Sequence, residues 1–595
     1  MWMCSHVNAR YGLDFPGFHG TIVPTYIETV PNRTSSPTIL LRRGWREGGR
    51  VRKQTLANLS HWPPHQVEAL RRVLHGDHLV SPESLFAIQA SRPHGHVEAV
   101  LGTARKLGLD RLLSARPSRQ RDLILALIVE RVLAPCSKLA TVRRWHSTTL
   151  AEELSVQDAE VEEVYEALDW LRSQQPRIEK RLAKRHLVAG GRVLYDVSSS
   201  YYEGSTCSLA QFGYNRDGKK GRTIIVYGVL TDDEGRPVAM DVYPGSTGDP
   251  ATVPDQVKKL RQRFDLSDVV LVGDRGMLTE TQIDHLRRHP GLGWISALRS
   301  PAIRQLVESG SLQLSLFDEQ NLAEIHSPDY PGERLIACFN PLLAEERQRK
   351  REALLTATQK ELERVARDVA RRTKTPYTSE QIGAKVGRVL HLFKMGKHFR
   401  WSIEEGQLRF SRLQESIEQE AALDGIYVIR TSEPAERISA EDAVRGYKGL
   451  ARVERAFRCL KGIDLRVRPI FHRVEERVRA HLFLCLLAYY VEWHLREAWA
   501  PLLFEDEQLN EDRQRRDAVA PAQPSASVRA KKVRRRTPDG LPVHSFDTLL
   551  EDLATRCRNT CTAKTEGLEE ATFQQLTAPT PLQARALSLL GLFPG

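Results

Sequence analysis

The sequence predicts a mixed α/β protein whose main sheet is interrupted by a long, largely helical insertion. Three observations carry this expectation. Short apolar runs of strand character alternate with helical stretches between residues 192 and 299. A highly charged segment with a thin apolar seam then runs from Ser300 to about Ala422. Strand character returns in GIYVIRTS (425–432), followed by two more helical stretches.

Taken in order, residues 1–75 form a basic, β-rich region. Its RRGWREGGRVRKQT stretch (42–55) reads as a short hairpin or loop. Residues 76–186 turn helical, and RDLILALIVERVLAP carries a dense apolar face that stops at Pro135. The first part of the core spans 187–300. RVLYDVSSS (192–200) is its first strand, and TIIVYGVLT (223–231) and PVAMDVY (237–243) flank the turn DDEGR as a hairpin. Asp249 before Pro250 reads as an N-cap with proline at N1, opening a helix through Arg263. VVLV (269–272) is a buried strand of the parallel kind, a helix follows from about Thr279, and LGWISALR (292–299) is another strand. The insertion, 301–422, holds a charged helix with a seam at Leu355, Leu362, Val365 and Val369. The second part of the core is 423–500, with helix from about Ala440 and again from Val474 to Trp499. Residues 501–545, with six basic residues in VRAKKVRRR (528–536), read as a flexible basic linker, and 546–595 as a tail.

Bulk properties bound the function. A chain of 595 residues exceeds one hydrophobic core, and 41% apolar with 27% charged residues is a soluble globular composition. The net charge of +12 favours a polyanionic partner, nucleic acid first. Eight cysteines without regular spacing form no disulfide framework, and Cys557 and Cys561 read as thiols on one helical face. The longest apolar run, Leu482–Val491, is ten residues (491 − 482 + 1), too short to span a bilayer. MWMCSHVNAR has no leader pattern, so a cytoplasmic protein without membrane partners is expected.

The order of strand, hairpin, helix, strand, helix, strand, insertion, strand and helix resembles a ribonuclease H-like fold interrupted before its last acidic residue. In that fold one aspartate lies on the first strand and another just after the fourth, and a later helical glutamate faces both. The matching residues are Asp196, Asp274 and Glu454. Phosphodiester chemistry needs a deprotonated oxygen nucleophile and a stabilised leaving 3′-oxygen. Two magnesium ions roughly 3.5–4 Å apart serve both needs and take oxygen ligands. Gly273 and Gly276 flank Asp274 and are expected to let backbone and substrate come close. Tyr447, Glu454 and Lys461 are spaced by seven (454 − 447 and 461 − 454), which puts them on one face of a single helix. Arg458, four residues beyond Glu454, is a salt-bridge partner or a phosphate contact.

With these residues in place, the sequence resembles bacterial insertion-sequence transposases of the DDE class. Within them it is similar to the group whose glutamate lies in a Tyr-x2-Arg-x3-Glu-x6-Lys (YREK) signature. Tyr447, Glu454 and Lys461 match that spacing, while Leu450 stands where the signature has arginine. YDVSSSYYEG and VGDRGM match the aspartate motifs, and the resemblance covers roughly 190–500. It implies metal-dependent cleavage and strand transfer at the terminal inverted repeats of the protein's own element. Asp196, Asp274 and Glu454 would bind two Mg2+ ions, with Mn2+ as a substitute. Tyr447, Arg458, Lys461 and Arg275 would contact double-stranded DNA at transposon ends and target, and a homodimer would hold the two ends. Residues 76–186 would bind the ends, and Leu450→Arg would tighten that binding.

Two other readings stay open. One is a stand-alone metal-dependent nuclease of the same fold; the other is a non-catalytic DNA-binding repressor derived from a transposase. Elsewhere, Ser198, Ser199 and Ser200 read as hydrogen-bonding residues, and His481 and His494 as structural or solvated. The 345–372 charge run reads as a solvated helix, VRAKKVRRR as a nonspecific DNA contact, and Arg42–Lys53 as an end-recognition element.

Overall fold

The computed structural model describes residues 22–33, 35–76, 86–318, 320–563 and 571–592. The stretch MWMCSHVNAR lies outside them. The chain divides into two compact units, one of residues 1–90 with 559–575 and one of 91–558 with 576–595.

The smaller unit holds an antiparallel sheet of β1 (Ile22–Val30), β2 (Thr38–Glu47) and β3 (Arg50–Asn58), with a helix at Pro64–Leu74. The expected basic hairpin is β2–β3. Gly48 and Gly49 take φ of 56° and 77°, the double left-handed turn that a two-residue connection between twisted strands requires. Part of its charge is already matched, since Arg42 and Lys53 both bind Glu28, at 2.7 and 3.0 Å.

The larger unit is built around one eight-stranded sheet. β4 (Phe86–Pro93) precedes it in the chain. The sheet's strands are β5 (Arg192–Tyr201), β6 (Ile224–Asp232), β7 (Pro237–Pro244), β8 (Val269–Gly273), β9 (Leu292–Ala297), β10 (Leu322–Ile325), β11 (Arg334–Phe339) and β14 (Ile426–Thr431). Their order is β10-β11-β14-β9-β8-β5-β6-β7. β5, β8 and β9 run parallel, while β6 and β7 add an antiparallel meander on one side. Each expected strand of the first core half is present. Asp232 closes the β6–β7 turn by accepting from the backbone N–H of Glu234 and Arg236, at 3.0 and 2.8 Å.

The insertion departs from expectation. It is not only helical, because β10 and β11 join the main sheet beside β14. The remainder is an arm of two helices, Pro341–Arg371 and Ser379–Phe393, with a hairpin of β12 (Phe399–Glu404) and β13 (Gln407–Arg412). Its own small core contains Leu355, Leu362 and Val369, with Val365 partly buried against them, so the apolar seam packs as read.

Helices Gly95–Lys106, Arg119–Leu133, Val161–His186 and Glu475–Trp499 pack into the same large core as the sheet. Glu160 and Glu163 form a capping box at the start of Val161–His186. Glu475–Trp499 is buried almost all round, which explains its continuous apolar run. Among the described residues no helix is long and apolar enough to cross a membrane.

Three further expectations change. The helix read from Asp249 to Arg263 is three short turns, Asp249–Thr252, Val253–Lys258 and Lys259–Arg263, and Gly248 holds the cap position. The 501–545 stretch is folded, with helices Leu509–Arg515 and Ala526–Arg534. Lys448 fixes it by donating to the carbonyls of Ala518, Val519 and Ala520 at 2.6, 2.9 and 3.0 Å. Lys531 of the basic run is itself buried, donating to Ala500 O and Glu505 O at 2.8 Å each. Cys557 and Cys561 lie on a strand, β15 (Cys557–Ala563), beside β16 (Thr572–Leu576) in a sheet of order β16-β15-β4. A spacing of four puts two residues on one side of either element, so the sequence could not separate them.

Candidate functional site

The sheet fixes the two aspartates. In the parallel pair β5–β8, Arg192 is opposite Val270 and Tyr195 opposite Gly273, a constant offset of 78 (273 − 195). Asp196 and Asp274 share that offset (274 − 196), so Asp196, within β5, lies level with Asp274, the residue that follows β8. All five residues of β8 are buried, and Asp274 is the first exposed position after them. An apolar run that ends on an acid is therefore a rigid mount for a carboxylate.

Each acid is held. Asp196 Oδ1 accepts from Val197 N–H at 2.7 Å. Asp274 Oδ1 accepts from Tyr447 Oη at 3.1 Å, and its carbonyl closes a turn with Met277 N and Leu278 N at 2.9 and 3.1 Å. Burial, with the negative charge of Asp274 adding to it, pushes Asp196 up to about 7 against the pull of Val197 N–H. Burial and Asp274 raise Tyr447, keeping it a phenol that donates. Of the flanking glycines, Gly273 lies close to Leu278, where a Cβ would be 3.0 Å from its Cγ, and Gly276 matters less than its place implied. Gly276 has no positive φ, and a Cβ there would meet only Asp274 Oδ2 and Arg299 Nη2 at ordinary contact distances of 3.5 and 3.9 Å.

Tyr447, Glu454 and Lys461 do not share one helix. One helix is Ala440–Lys448, and a second starts at Leu450 and ends at Lys461. Gly446 and Gly449 let this joint lie close to the sheet. A Cβ at Gly446 would be 3.1 Å from Arg192 Cδ and 3.2 Å from Ile295 Cδ1, and one at Gly449 would be 2.8 Å from Gly446 O. Glu454 is exposed on the second helix, which packs on β5. Lys461 is engaged rather than free: its Nζ pairs with buried Asp217 at 3.3 Å, beside Arg468, and burial lowers it. Arg458 and Arg275 are exposed. Leu450 is 9% exposed and belongs to the core.

Some neighbours of the site were not foreseen. Arg216 Nη2 donates to both carboxylate oxygens of Asp249 at 2.6 Å, and both residues act on Asp196, the arginine lowering it and the aspartate raising it. Asp249 was legible only as a helix cap. Asp217 accepts from Tyr201 N at 3.0 Å as well as from Lys461 and Arg468. Ser199 and Ser200 hydrogen-bond as expected, Ser199 accepting from Arg216 N at 3.3 Å and Ser200 pairing with Tyr227 Oη at 2.9 Å.

The donor chemistry fits a hard divalent cation. Two carboxylates stand in register, and one of them is held near neutrality by burial and like charge, a cost that a cation would remove. Among the described residues, three ligand atoms gather within 4.8 Å of one another at Cys459, Asp464 and Glu492, not at Asp196, Asp274 and Glu454. Arg496 already occupies that cluster, bonded to Glu492 at 2.6 Å and Asp464 at 3.1 Å.

Fold and site together define a mixed α/β protein with a large sheet that presents an acidic pair beside exposed arginines. The chain belongs to the family of the transposase DDE domain, whose model matches residues 192–491. No curated protein compared with it matches. Among solved structures, it is similar to the one described as "Cryo-EM structure of piggyBac transposase synaptic complex with hairpin DNA". The identity is 10%, with 77% of this chain and 76% of that chain covered at a TM-score of 0.33. That likeness is too slight to bear on the fold.

Proposed function

We propose that this chain is a DDE transposase of the YREK group that cuts and joins DNA at the terminal inverted repeats of its own insertion sequence. The observation that carries this reading is the β5–β8 register, which sets Asp196, in the middle of β5, level with Asp274, just past the end of β8. A ribonuclease H-like core is part of the proposal, and the order β7-β6-β5-β8-β9, with β5, β8 and β9 parallel, supports it.

Asp196, Asp274 and Glu454 are the residues that would hold two magnesium ions, which when bound supply an activated oxygen nucleophile and charge neutralisation at the leaving 3′-oxygen. The chain's other residues position. Tyr447 orients the Asp274 carboxylate, Val197 N–H orients Asp196, and the buried strands keep both acids from drifting. Lys461 anchors the end of the Glu454 helix through Asp217, while the exposed Arg275 and Arg458 would meet phosphate oxygens. Hydrolysis breaks the P–O3′ bond and leaves a 3′-hydroxyl and a 5′-phosphate. That hydroxyl then attacks a target phosphodiester, forming one P–O bond as another breaks. A homodimer bridging two ends completes the reading.

The test uses full-length protein, Mg2+ and a duplex carrying the element's terminal repeats, with Asp274→Asn alongside. Cleavage followed by joining, both lost in the variant, is the expected result. Cleavage without joining would leave a nuclease, and binding with neither would leave a repressor.

A further inference from the structure

A cavity of about 600 Å3 opens between the helices Arg119–Leu133 and Lys138–Arg144 and the segment 462–474 that follows Lys461. Six cationic side chains line it, Arg131, Lys138, Arg466, Arg468, Arg473 and Arg477, and among the described residues lining it there is no carboxylate. Arg468 and Arg477 are backed by acids outside the wall, Asp217 and Asp169. For the other four, no carboxylate lies within ion-pair distance among the described residues.

Lys138 is the residue that points to a ligand. It is 3% exposed and lines the cavity, yet its ammonium has neither a hydrogen bond nor an ion pair among the described residues. Burying a charge without a partner is strongly unfavourable, and an apolar side chain of the same length would pack there at lower cost. An incoming anion would supply the missing partner. The bland alternative is a lysine held neutral for packing. The five other cations around the same space favour that neutral form, and an anion entering among them would favour the ammonium instead.

We propose that this cavity is a phosphate-binding pocket that takes a phosphodiester group of a DNA strand. The choice of a strand as occupant rests on the function proposed above. Two observations favour a long ligand. The rim is open, with Arg466 and Arg473 exposed and Phe471 60% exposed, offering an aromatic face to a base next to the phosphate contacts. The wall is also tied to the Glu454 helix, because Arg468 Nε donates to Lys461 O at 3.1 Å.

Fluorescence anisotropy with a labelled terminal-repeat duplex, read across a salt series, tests this on the full chain with Lys138→Met and Arg473→Ala. Each variant is expected to weaken binding on the order of 10-fold, and the pair to reduce the salt slope by about one. Lys138→Met should do so while raising the thermal midpoint, which separates lost binding from lost folding; Arg473→Ala alters only an exposed side chain. Unchanged affinity and slope in both variants would overturn the proposal. Calorimetry with inorganic phosphate covers the other source: phosphate bound by the wild type and not by Lys138→Met, with DNA affinity unchanged, would make this a free-anion pocket and overturn the DNA assignment. Cleavage is scored separately. A wild type that binds DNA through these residues but never cuts it would defeat the transposase reading and leave the pocket standing.

Discussion

Gly228 on β6 lies against the ring of Tyr195, the residue before Asp196. A Cβ at position 228 would sit 2.2 Å from Tyr195 Oη and 2.7 Å from two ring carbons. Tyr195 is fully buried, so its ring has no solvent to retreat into. Gly228→Ala must then push the ring, and with it β5, for an overpacking cost of about 1–3 kcal/mol, partly offset by the roughly 0.5–1 kcal/mol that removing a strand glycine returns. A net loss of about 1.5 kcal/mol corresponds to an opening equilibrium about 10-fold larger. In so long a chain a single unfolding free energy is poorly defined, so the assay is hydrogen exchange of peptides from 192–201 and 224–232. Tyr195→Val should relieve the clash, leaving the double variant less destabilised than the sum of the singles by on the order of 1 kcal/mol. Exchange in Gly228→Ala equal to wild type, or strictly additive effects, would refute this account of how β5 is seated.

Other substitutions probe other parts of the argument. Tyr447→Phe keeps the packed ring and removes one hydrogen bond to Asp274, so single-turnover cleavage should fall by about 1 kcal/mol, roughly fivefold. A loss beyond a hundredfold would mean that the phenol does more than orient Asp274. Leu450→Arg should loosen the Glu454 helix rather than tighten DNA binding, because the core residue it replaces contributes about 1.5–3 kcal/mol by burial. Faster exchange across 440–461 would show it, and tighter DNA binding with unchanged exchange would contradict it. Burial holds Lys138 down to about 7 from its ordinary 10.5, so between those values the unfolded chain binds one more proton than the folded one. The stability advantage of Lys138→Met over wild type should be largest below about pH 7 and close as pH rises toward 10.5; a gap independent of pH would refute the buried, charged lysine.

The sequence was most legible where physics is local. β-branched apolar runs fell within a residue of β5, β6, β8 and β14, since burial on both faces leaves few alternatives to strand. The aspartates were less legible one by one, because an acid at a strand end is most often a cap or turn residue, and they were picked out only together with Glu454, Tyr447 and Lys461. Legibility failed where distant residues decide. Lys461 looked free until Asp217, 244 residues away, took its ammonium. The 501–545 stretch looked like linker until Lys448 gathered its carbonyls from 70–72 residues off. The break at Gly449 was invisible because its backbone stays in the helical region, with φ of −56° and ψ of −25°. The seven-residue spacing of Tyr447, Glu454 and Lys461 implied a single helix, which that break divides in two.

The helical arm of the insertion leaves the sheet at Asn340 and returns at Gly425, where Asn340 N donates to Gly425 O at 3.0 Å. Exit and re-entry are thus one hydrogen bond apart, and β11 and β14 pair directly below them, Phe339 opposite Ile426. Everything between is a side branch on a closed stem. Such a stem fixes the Glu454 helix by strand pairing rather than by the length of what is inserted. The arm can therefore be shortened, lengthened or exchanged for another module across a tight turn, with the three acids keeping their places.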